Sequence, residues 1–292
     1  MRKDPQENLI KWFFILPALA FFFAWNIFPL LWVLGLSFHK YSIMTGRPPR
    51  FVGLENYTRI FGDPYFWDRF RTTFTYVFVA VFFEFVIGFG LALLFNQEIK
   101  GKKIMLTLMM APMIIAPVAT GVFFRFMYEP TWGIFGYFLD KLVGLRPQFL
   151  QDARLALPSV ILADIWMWSP FMLMMTLAGL QAVPDYLLEA AEVDRLSWWT
   201  KFRHIILPTI RPVLVLALLL RTIDAFRLFD KIFVMTGGGP GTATEIISMS
   251  VYRLAFLFFR TGRGSALAII LLVVAIIFTN IYLLLLRAGR KA

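Results

Sequence analysis

The run Phe74–Phe95 (FTYVFVAVFFEFVIGFGLALLF) is apolar over about twenty residues, with a single carboxylate, Glu84, inside it. A helix of this length crosses the ~30 Å hydrocarbon core of a bilayer. The pattern predicts an all-α, polytopic membrane protein with about six transmembrane helices, forming one domain over residues 1–292. The other predicted spans are Trp12–Phe38, Met105–Met127, Pro158–Leu180, Val213–Phe233 and Ala266–Leu286.

The composition excludes several classes of protein and site. The chain is 59% hydrophobic and only 16% charged, with a mean hydropathy of +0.71. A transmembrane β-barrel is excluded because its strands alternate polar and apolar residues, whereas these runs are apolar all round. Without cysteine there is no disulfide or thiolate metal site, and two histidines do not suit a histidine-rich metal centre. We therefore predict no metal site.

The net charge of +11 indicates lipid contact rather than a nucleic-acid partner. Loop lysines and arginines commonly fix membrane topology and meet anionic lipids. These residues are nearly balanced between the two sides, but those on the side of the amino terminus lie in shorter segments. We therefore predict that both termini are cytoplasmic. Ala18-Leu19-Ala20 resembles a signal-peptidase site, yet the apolar run continues past it, so we expect the first helix to be retained.

A polar connector separates the fourth and fifth predicted spans. Its centre is Glu189–Pro208 (EAAEVDRLSWWTKFRHIILP), with several charges and two tryptophans. Pro184 and Asp185 suit the first turn of a helix that continues to Asp194, and Ser197 can cap a second helix over 198–206. This predicts a helix–turn–helix at the membrane surface. A partner could approach the two small alanines closely, but an unpartnered amphipathic surface helix fits equally well.

The connector resembles the EAA motif of permease subunits of bacterial ABC importers, of the carbohydrate-transporting type. The motif runs Glu-Ala-Ala, then Asp-Gly, then a hydrophobic-Leu-Pro ending, and Arg195 stands here in place of the glycine. If that position is left-handed, a side chain there costs roughly 1–2 kcal/mol. The matching residues are Glu189, Ala190, Ala191, Asp194, Phe202, Ile205, Leu207, Pro208 and Pro212, with further similarity at Phe51–Tyr57, Leu177–Gln181, Phe229-Asp230 and Thr236–Pro240.

The resemblance implies a type I ABC importer permease fold and a set of partners. These are a second homologous permease, two copies of an ABC ATPase, and a periplasmic or lipid-anchored solute-binding protein. The cytoplasmic loop 181–212 would be the coupling loop that seats on the ATPase, which holds ATP and Mg²⁺, so that this chain needs no cofactor and is not itself an enzyme. The docking residues implied are Glu189, Ala190, Ala191, Glu192, Asp194 and Arg195.

Charged residues inside the spans are candidates for function, because burying charge in a membrane is expensive. Arg221, Asp224 and Arg227 are spaced to lie along one helix face, where they could pair. A structural ion-pair ladder between helices is the preferred interpretation, and contact with a sugar is the alternative. The full set is Glu84, Arg125, Asp164, Arg221, Asp224, Arg227, Asp230 and Lys231.

Tryptophan rings can pack against sugar carbons, which makes Trp166 and Trp168 our first candidates for a solute pocket. Interfacial anchoring or packing is the alternative role. The glycine run lacks the lysine and hydroxyl of a phosphate loop. The resemblance instead places it on the outer face, where a solute-binding protein would dock. The remaining pocket candidates are Arg125, Asp164, Asp224 and Arg227, and the docking candidates are Gly237, Gly238, Gly239 and Pro240.

Two other classes of protein compete with an importer subunit that carries a sugar-like solute. An intramembrane hydrolase would need a nucleophile with a base, and the predicted spans contain neither a histidine nor a hydrolase motif. A secondary carrier or channel remains the alternative for six spans. A carrier or channel does not account for the long charged connector.

Overall fold

The computed structural model describes residues 5–288, and side chains from 12 to 287. Short π-helical turns lie at Phe23–Ile27, Phe202–Ile206 and Arg253–Leu257, and a 3-10 turn at Ile43–Thr45. Two short strands, β1 (His39–Lys40) and β2 (Arg50–Phe51), pair antiparallel. The α-helices of the described chain are α1 (Pro5–Phe22), α2 (Phe28–Ser37), α3 (Glu55–Phe61), α4 (Pro64–Phe95), α5 (Lys102–Ile114), α6 (Pro117–Met127), α7 (Ile134–Val143), α8 (Ala153–Gln181), α9 (Asp185–Val193), α10 (Trp198–Lys201), α11 (Leu207–Phe226), α12 (Asp230–Met235), α13 (Ile247–Tyr252) and α14 (Thr261–Ala288).

Within the described residues, five helical stretches are long and apolar enough to cross a membrane, and there are six if a bent pair of helices is counted as one span. The prediction of an all-α protein with about six spans is therefore confirmed. The five stretches are Trp12–Ser37, Pro64–Phe95, Ala153–Gln181, Trp198–Phe226 and Thr261–Arg287.

The predicted third span is two helices rather than one. α5 and α6 meet at an angle of 95°, and Ala116 between them is extended, with ψ near 139°. The α conformation is disfavoured for a residue that precedes proline, and Ala116 precedes Pro117. Hydropathy does not register this break, because the residues on both sides are apolar.

The predicted fifth span begins earlier and ends earlier than expected. The helix runs from Trp198 to Phe226 without interruption, so the second helix of the connector is the first part of this span. The π-helical turn Phe202–Ile206 ends two residues before Pro208. Proline has no N–H to donate to the preceding turn, as a regular α-helix would require. Residues 227–229 leave the helix, and α12 is a separate short helix.

The chain divides into two compact units. One comprises residues up to Pro64 with Ser250–Leu271, and the other comprises Tyr65–Met249 with the segment from Leu272. A single domain over 1–292 stays a prediction. In the second unit α4 packs closely on α8 at Gly88, where an added Cβ would lie 2.5 Å from Met172 Cβ. The neighbouring apolar core is formed by Ala92, Phe95, Leu173, Leu177, Leu180, Val183, Ile210 and Leu214.

Candidate functional site

The connector between α8 and α11 folds as a helical hairpin, which we call the surface hairpin (residues 185–206). Its first arm is α9 and its second arm is α10 with the following π-helical turn. The Ser197 hydroxyl accepts a hydrogen bond from the Thr200 N–H at 3.2 Å, which confirms the expected cap. A salt bridge of 3.3 Å between Lys201 and Glu192 joins the two arms.

Arg195 adopts a left-handed conformation, with φ of 54°, at the turn of the hairpin. The N–H of Leu196 donates to the Ala191 carbonyl at 3.0 Å, and the N–H of Arg195 donates to the Glu192 carbonyl at 3.0 Å. These two bonds form the Schellman motif, in which glycine usually occupies the position of Arg195. The turn therefore has the geometry that a glycine would favour, and Arg195 holds it at a conformational cost.

An aromatic cluster attaches the hairpin to the apolar core. Phe202 is 8% exposed and stacks on Trp198, with the ring centroids 5.3 Å apart. Its ring also meets Phe89 of α4 at 6.1 Å, edge to face. Leu188 and Ile206 pack against the core from the two arms. The hairpin is thereby held in place while its polar side faces outward.

Five of the six predicted docking residues are exposed, and Ala191 is not. Ala191 is 2% exposed, because this side of the amphipathic α9 faces the protein. The flat surface that we expected from two alanines is therefore formed by Ala190 alone, and that expectation was wrong for Ala191. The exposed members are Glu189, Ala190, Glu192, Asp194 and Arg195.

Four buried charged side chains form an ion network across α4, α8, α11 and α12. Arg221 donates to both carboxylate oxygens of Glu84, at 2.7 and 2.9 Å, and also to Asp164. Lys231 donates to the second oxygen of Asp164. All four side chains are at most 2% exposed. Two acids and two bases balance, so the network satisfies its own charge and supports the structural interpretation.

Tyr76 also belongs to this network, and the sequence analysis missed it. Its hydroxyl donates to Asp164, and the residue is fully buried. Tyr76 lies eight residues before Glu84 on α4, about two helical turns away, which places both on similar faces. That spacing was the available signal. Because Asp164 is enclosed by these partners, its side chain stabilises the packing of the helices and does not contact a solute. Its assignment to the predicted pocket residues is corrected accordingly.

The pairing predicted along one face of the fifth span is only partly present, whereas the ion pairs between helices are formed. Arg221 pairs with Asp224 at 3.0 Å, and the Asp224 side chain is 52% exposed. Arg227 lies beyond the end of α11 and is exposed, so it does not extend the ladder along the helix. The strong partners of Arg221 come from other helices, which a pattern along one helix cannot reveal.

The two predicted pocket tryptophans have different surroundings. Trp166 is 38% exposed and packs against Phe123 and Phe124 of α6, at centroid distances of 6.2 and 5.4 Å. Trp168 is half-buried, and the Arg221 guanidinium lies 5.0 Å from its ring centroid. Residues two apart on a helix point in different directions, so the pair does not form one wall. Arg125 is exposed on α6 and donates to the Val234 carbonyl at 3.1 Å.

The glycine loop after α12 is a defined turn. Gly237 and Gly238 have positive φ, 61° and 92°, which glycine adopts without strain. The hydroxyl of Thr244 donates to the Gly239 carbonyl at 2.8 Å. Gly238 is buried, whereas Gly237, Gly239 and Pro240 are half-exposed. The half-exposed residues are the ones that could meet a partner.

Curated relatives match this chain along nearly its whole length. The "Trehalose/maltose transport system permease protein MalF" of Thermococcus litoralis is 36% identical, over 98% of this chain and 95% of the relative. The "Trehalose transport system permease protein SugA" of Mycobacterium tuberculosis is 34% identical, over 94% and 89%. The "Sulfoquinovosyl glycerol transport system permease protein SmoG" of Agrobacterium fabrum is 32% identical, over 97% and 92%.

Solved structures share the fold. A chain of a bacterial ABC transporter involved in the import of the acidic polysaccharide alginate matches with a TM-score of 0.84 at 22% identity, over 97% of this chain and 96% of that one. A chain of the MetNI methionine ABC transporter matches with a TM-score of 0.55 at 18% identity, over 78% and 98%. Residues 2–291 match the family described as "Binding-protein-dependent transport system inner membrane component". The chain therefore belongs to this family of membrane transport permeases.

Proposed function

We propose that this protein is a permease subunit of an ATP-driven importer that takes up a sugar or sugar-like solute. The observation that carries the proposal is the surface hairpin, a charged and exposed element rooted in the core of a membrane protein. The similarity to permeases named for trehalose, maltose and sulfoquinovosyl glycerol supports a sugar-like solute. The solute would be delivered by a periplasmic or lipid-anchored solute-binding protein.

The surface hairpin would transmit the motion of a separate ATPase. Its exposed charges, Glu189, Glu192 and Asp194, would bind a groove of the ATPase, while Ala190 allows close approach of the partner's backbone. Arg195 would add a cation at the turn. The aromatic cluster supports this role, because it attaches the hairpin to the helices that the ATPase would move. The chain itself would not be an enzyme, since ATP and Mg²⁺ would be bound and used by two copies of that ATPase.

The complete transporter would contain a second, homologous permease subunit. The structure of the bacterial alginate ABC transporter in complex with an alginate pentasaccharide-bound periplasmic protein supports a binding-protein partner. That partner would dock on the half-exposed residues of the glycine loop, Gly237, Gly239 and Pro240. In this arrangement the glycine loop would lie outside and the surface hairpin inside, and both termini would be cytoplasmic.

The solute would meet the accessible members of the predicted pocket set. Trp168 and Asp224 both contact Arg221, so their side chains are close enough to act together: a ring face for sugar carbons and a carboxylate for hydroxyls. Trp166, Arg125 and Arg227 are exposed and remain candidates for the same path. Asp164 would act indirectly, by holding Arg221 in place.

A mild-detergent pull-down of the full chain from its native membrane, after brief crosslinking, tests the proposal. Mass spectrometry should identify an ABC ATPase and a second permease of similar size. Its associated binding protein can then be screened against mono-, di- and oligosaccharides. Recovery of the chain without an ATPase would contradict the proposal and favour a self-contained carrier or channel.

A further inference from the structure

A cavity of about 530 Å³ lies within the unit formed by residues up to Pro64 and Ser250–Leu271. Its wall is formed by the loop between α2 and α3, the first turns of α3, and the start of α14. The Gly262 N–H donates to the Tyr41 carbonyl at 3.1 Å, which joins the loop to α14. One membrane-spanning helix ends at Ser37 and another begins at Thr261. The cavity therefore lies at the depth where lipid headgroups meet water.

The lining of this cavity is strongly basic. Its only carboxylate is that of Glu55, which pairs with Arg59. Within the described chain, the other five cations have no carboxylate partner, and like charges gathered in one cavity are costly unless an anion joins them. The start of α14 adds the positive end of a helix dipole. The six cations are Lys40, Arg47, Arg50, Arg59, Arg260 and Arg263.

Hydroxyl groups and exposed apolar side chains alternate along the same loop. Ser42 and Thr45 line the cavity, whereas Ile43 and Met44 between them are 60% and 70% exposed. Phe51, between two lining residues, is 69% exposed. A soluble anion would use the cations and hydroxyls but would leave these apolar side chains in water. A ligand with both an anionic head and an apolar body satisfies both sets.

We propose that this basic cavity binds the phosphate headgroup of an anionic phospholipid. Arginine suits this ligand because its planar guanidinium donates two parallel hydrogen bonds to phosphate oxygens. Ile43, Met44 and Phe51 contact the glycerol and acyl region beside the headgroup. The site shares no residue with the surface hairpin or with the predicted pocket set, so the proposal does not depend on the proposed transport function.

The test measures lipid retention by the full-length protein. The protein is purified from nanodiscs containing equal amounts of phosphatidylglycerol and phosphatidylcholine, and the bound lipid is counted by native mass spectrometry. The wild type should retain phosphatidylglycerol in preference to phosphatidylcholine. Arg47→Gln with Arg260→Gln should weaken this retention about 25-fold, at about fivefold for each cation near an anionic lipid. Arg71→Gln with Arg154→Gln is the matched control, since both residues are exposed and lie outside the cavity.

Four results would overturn the proposal. The first is that the wild type and the Arg47/Arg260 variant retain phosphatidylglycerol equally. The second is that the wild type retains phosphatidylglycerol and phosphatidylcholine equally. A third is binding of inorganic phosphate that the variant loses while lipid retention is unchanged, which would identify a site for soluble anions. The fourth is loss of a protein partner with unchanged lipid retention. If the double variant does not fold, Arg47→Gln alone, at an exposed loop position, should still lower retention about fivefold.

Discussion

Asp164→Asn tests whether the buried ion network supports the packing of the helices. In the folded protein Asp164 accepts hydrogen bonds from Tyr76, Arg221 and Lys231, and all of these side chains are at most 2% exposed. Asparagine has nearly the same shape but no charge. The substitution leaves two buried cations opposite a single buried carboxylate, that of Glu84.

The expected loss of stability follows from this imbalance. Removing one partner of a buried ion pair leaves an uncompensated charge and costs about 3–5 kcal/mol of unfolding free energy. Asp224→Asn is the matched control, because Asp224 pairs with the same arginine and the chemical change is identical. The Asp224 side chain is 52% exposed. Water therefore screens its interaction, and the cost should stay below about 1 kcal/mol.

Unfolding in mixed micelles of a mild detergent and dodecyl sulfate, followed by tryptophan fluorescence and helical circular dichroism, measures both costs. Combining Asp164→Asn with Lys231→Met removes one charge of each sign and should recover much of the loss, since Arg221 keeps its two bonds to Glu84. Equal destabilisation by Asp164→Asn and Asp224→Asn would refute this account. A double variant no more stable than Asp164→Asn alone would refute it as well.

Three further substitutions test the hairpin and the helix packing. Arg195→Gly should leave the turn as stable or more stable, because glycine adopts φ of 54° freely. Arg195→Val should destabilise the turn by at least ~1 kcal/mol. Thermal unfolding compares the stability of the two variants. Phe202→Ala should cost about 3–5 kcal/mol and expose the hairpin to limited proteolysis before the spans. Gly88→Ala should destabilise the protein, since the added Cβ would lie 2.5 Å from Met172 Cβ. Gly90→Ala is the control: a Cβ added there meets no packing partner within 4 Å, so the same unfolding assay should show little loss of stability.

The number and type of spans could be predicted because a membrane helix is defined by local composition and length. The cap at Ser197 could also be predicted, since it depends on neighbouring residues, whereas only the resemblance to the EAA motif indicated glycine-like geometry at Arg195. An interruption near Ala116 is indicated by Pro117, because proline kinks or breaks a helix, but the size of the bend and the continuous helix through Pro208 could not be predicted. Both regions are apolar on either side of a proline. Hydropathy therefore does not distinguish a proline that bends the chain from one that a continuous helix accommodates with a π-helical turn.

The ion network could be predicted only in part. Charges inside spans mark candidate residues, and the four charged members of the network, Glu84, Asp164, Arg221 and Lys231, were recognised in this way. Their partners come from helices far apart in sequence: Arg221 and Glu84 are separated by 137 residues. Only the tertiary packing shows that Asp164 is enclosed and Asp224 is accessible. The burial of Ala191 likewise depends on which side of α9 meets the core.

The central claim is that the surface hairpin couples this permease to an ATPase, and Glu189→Lys tests it most directly. The permease is reconstituted in vesicles with its partner permease, the ATPase and the binding protein, and ATP hydrolysis is measured with and without loaded binding protein. Glu98→Lys, at another exposed acid on a loop predicted to be cytoplasmic, is the matched control. Loss of stimulation in Glu189→Lys, with normal membrane insertion and a normal control, is the predicted result. Wild-type stimulation in Glu189→Lys would contradict the account.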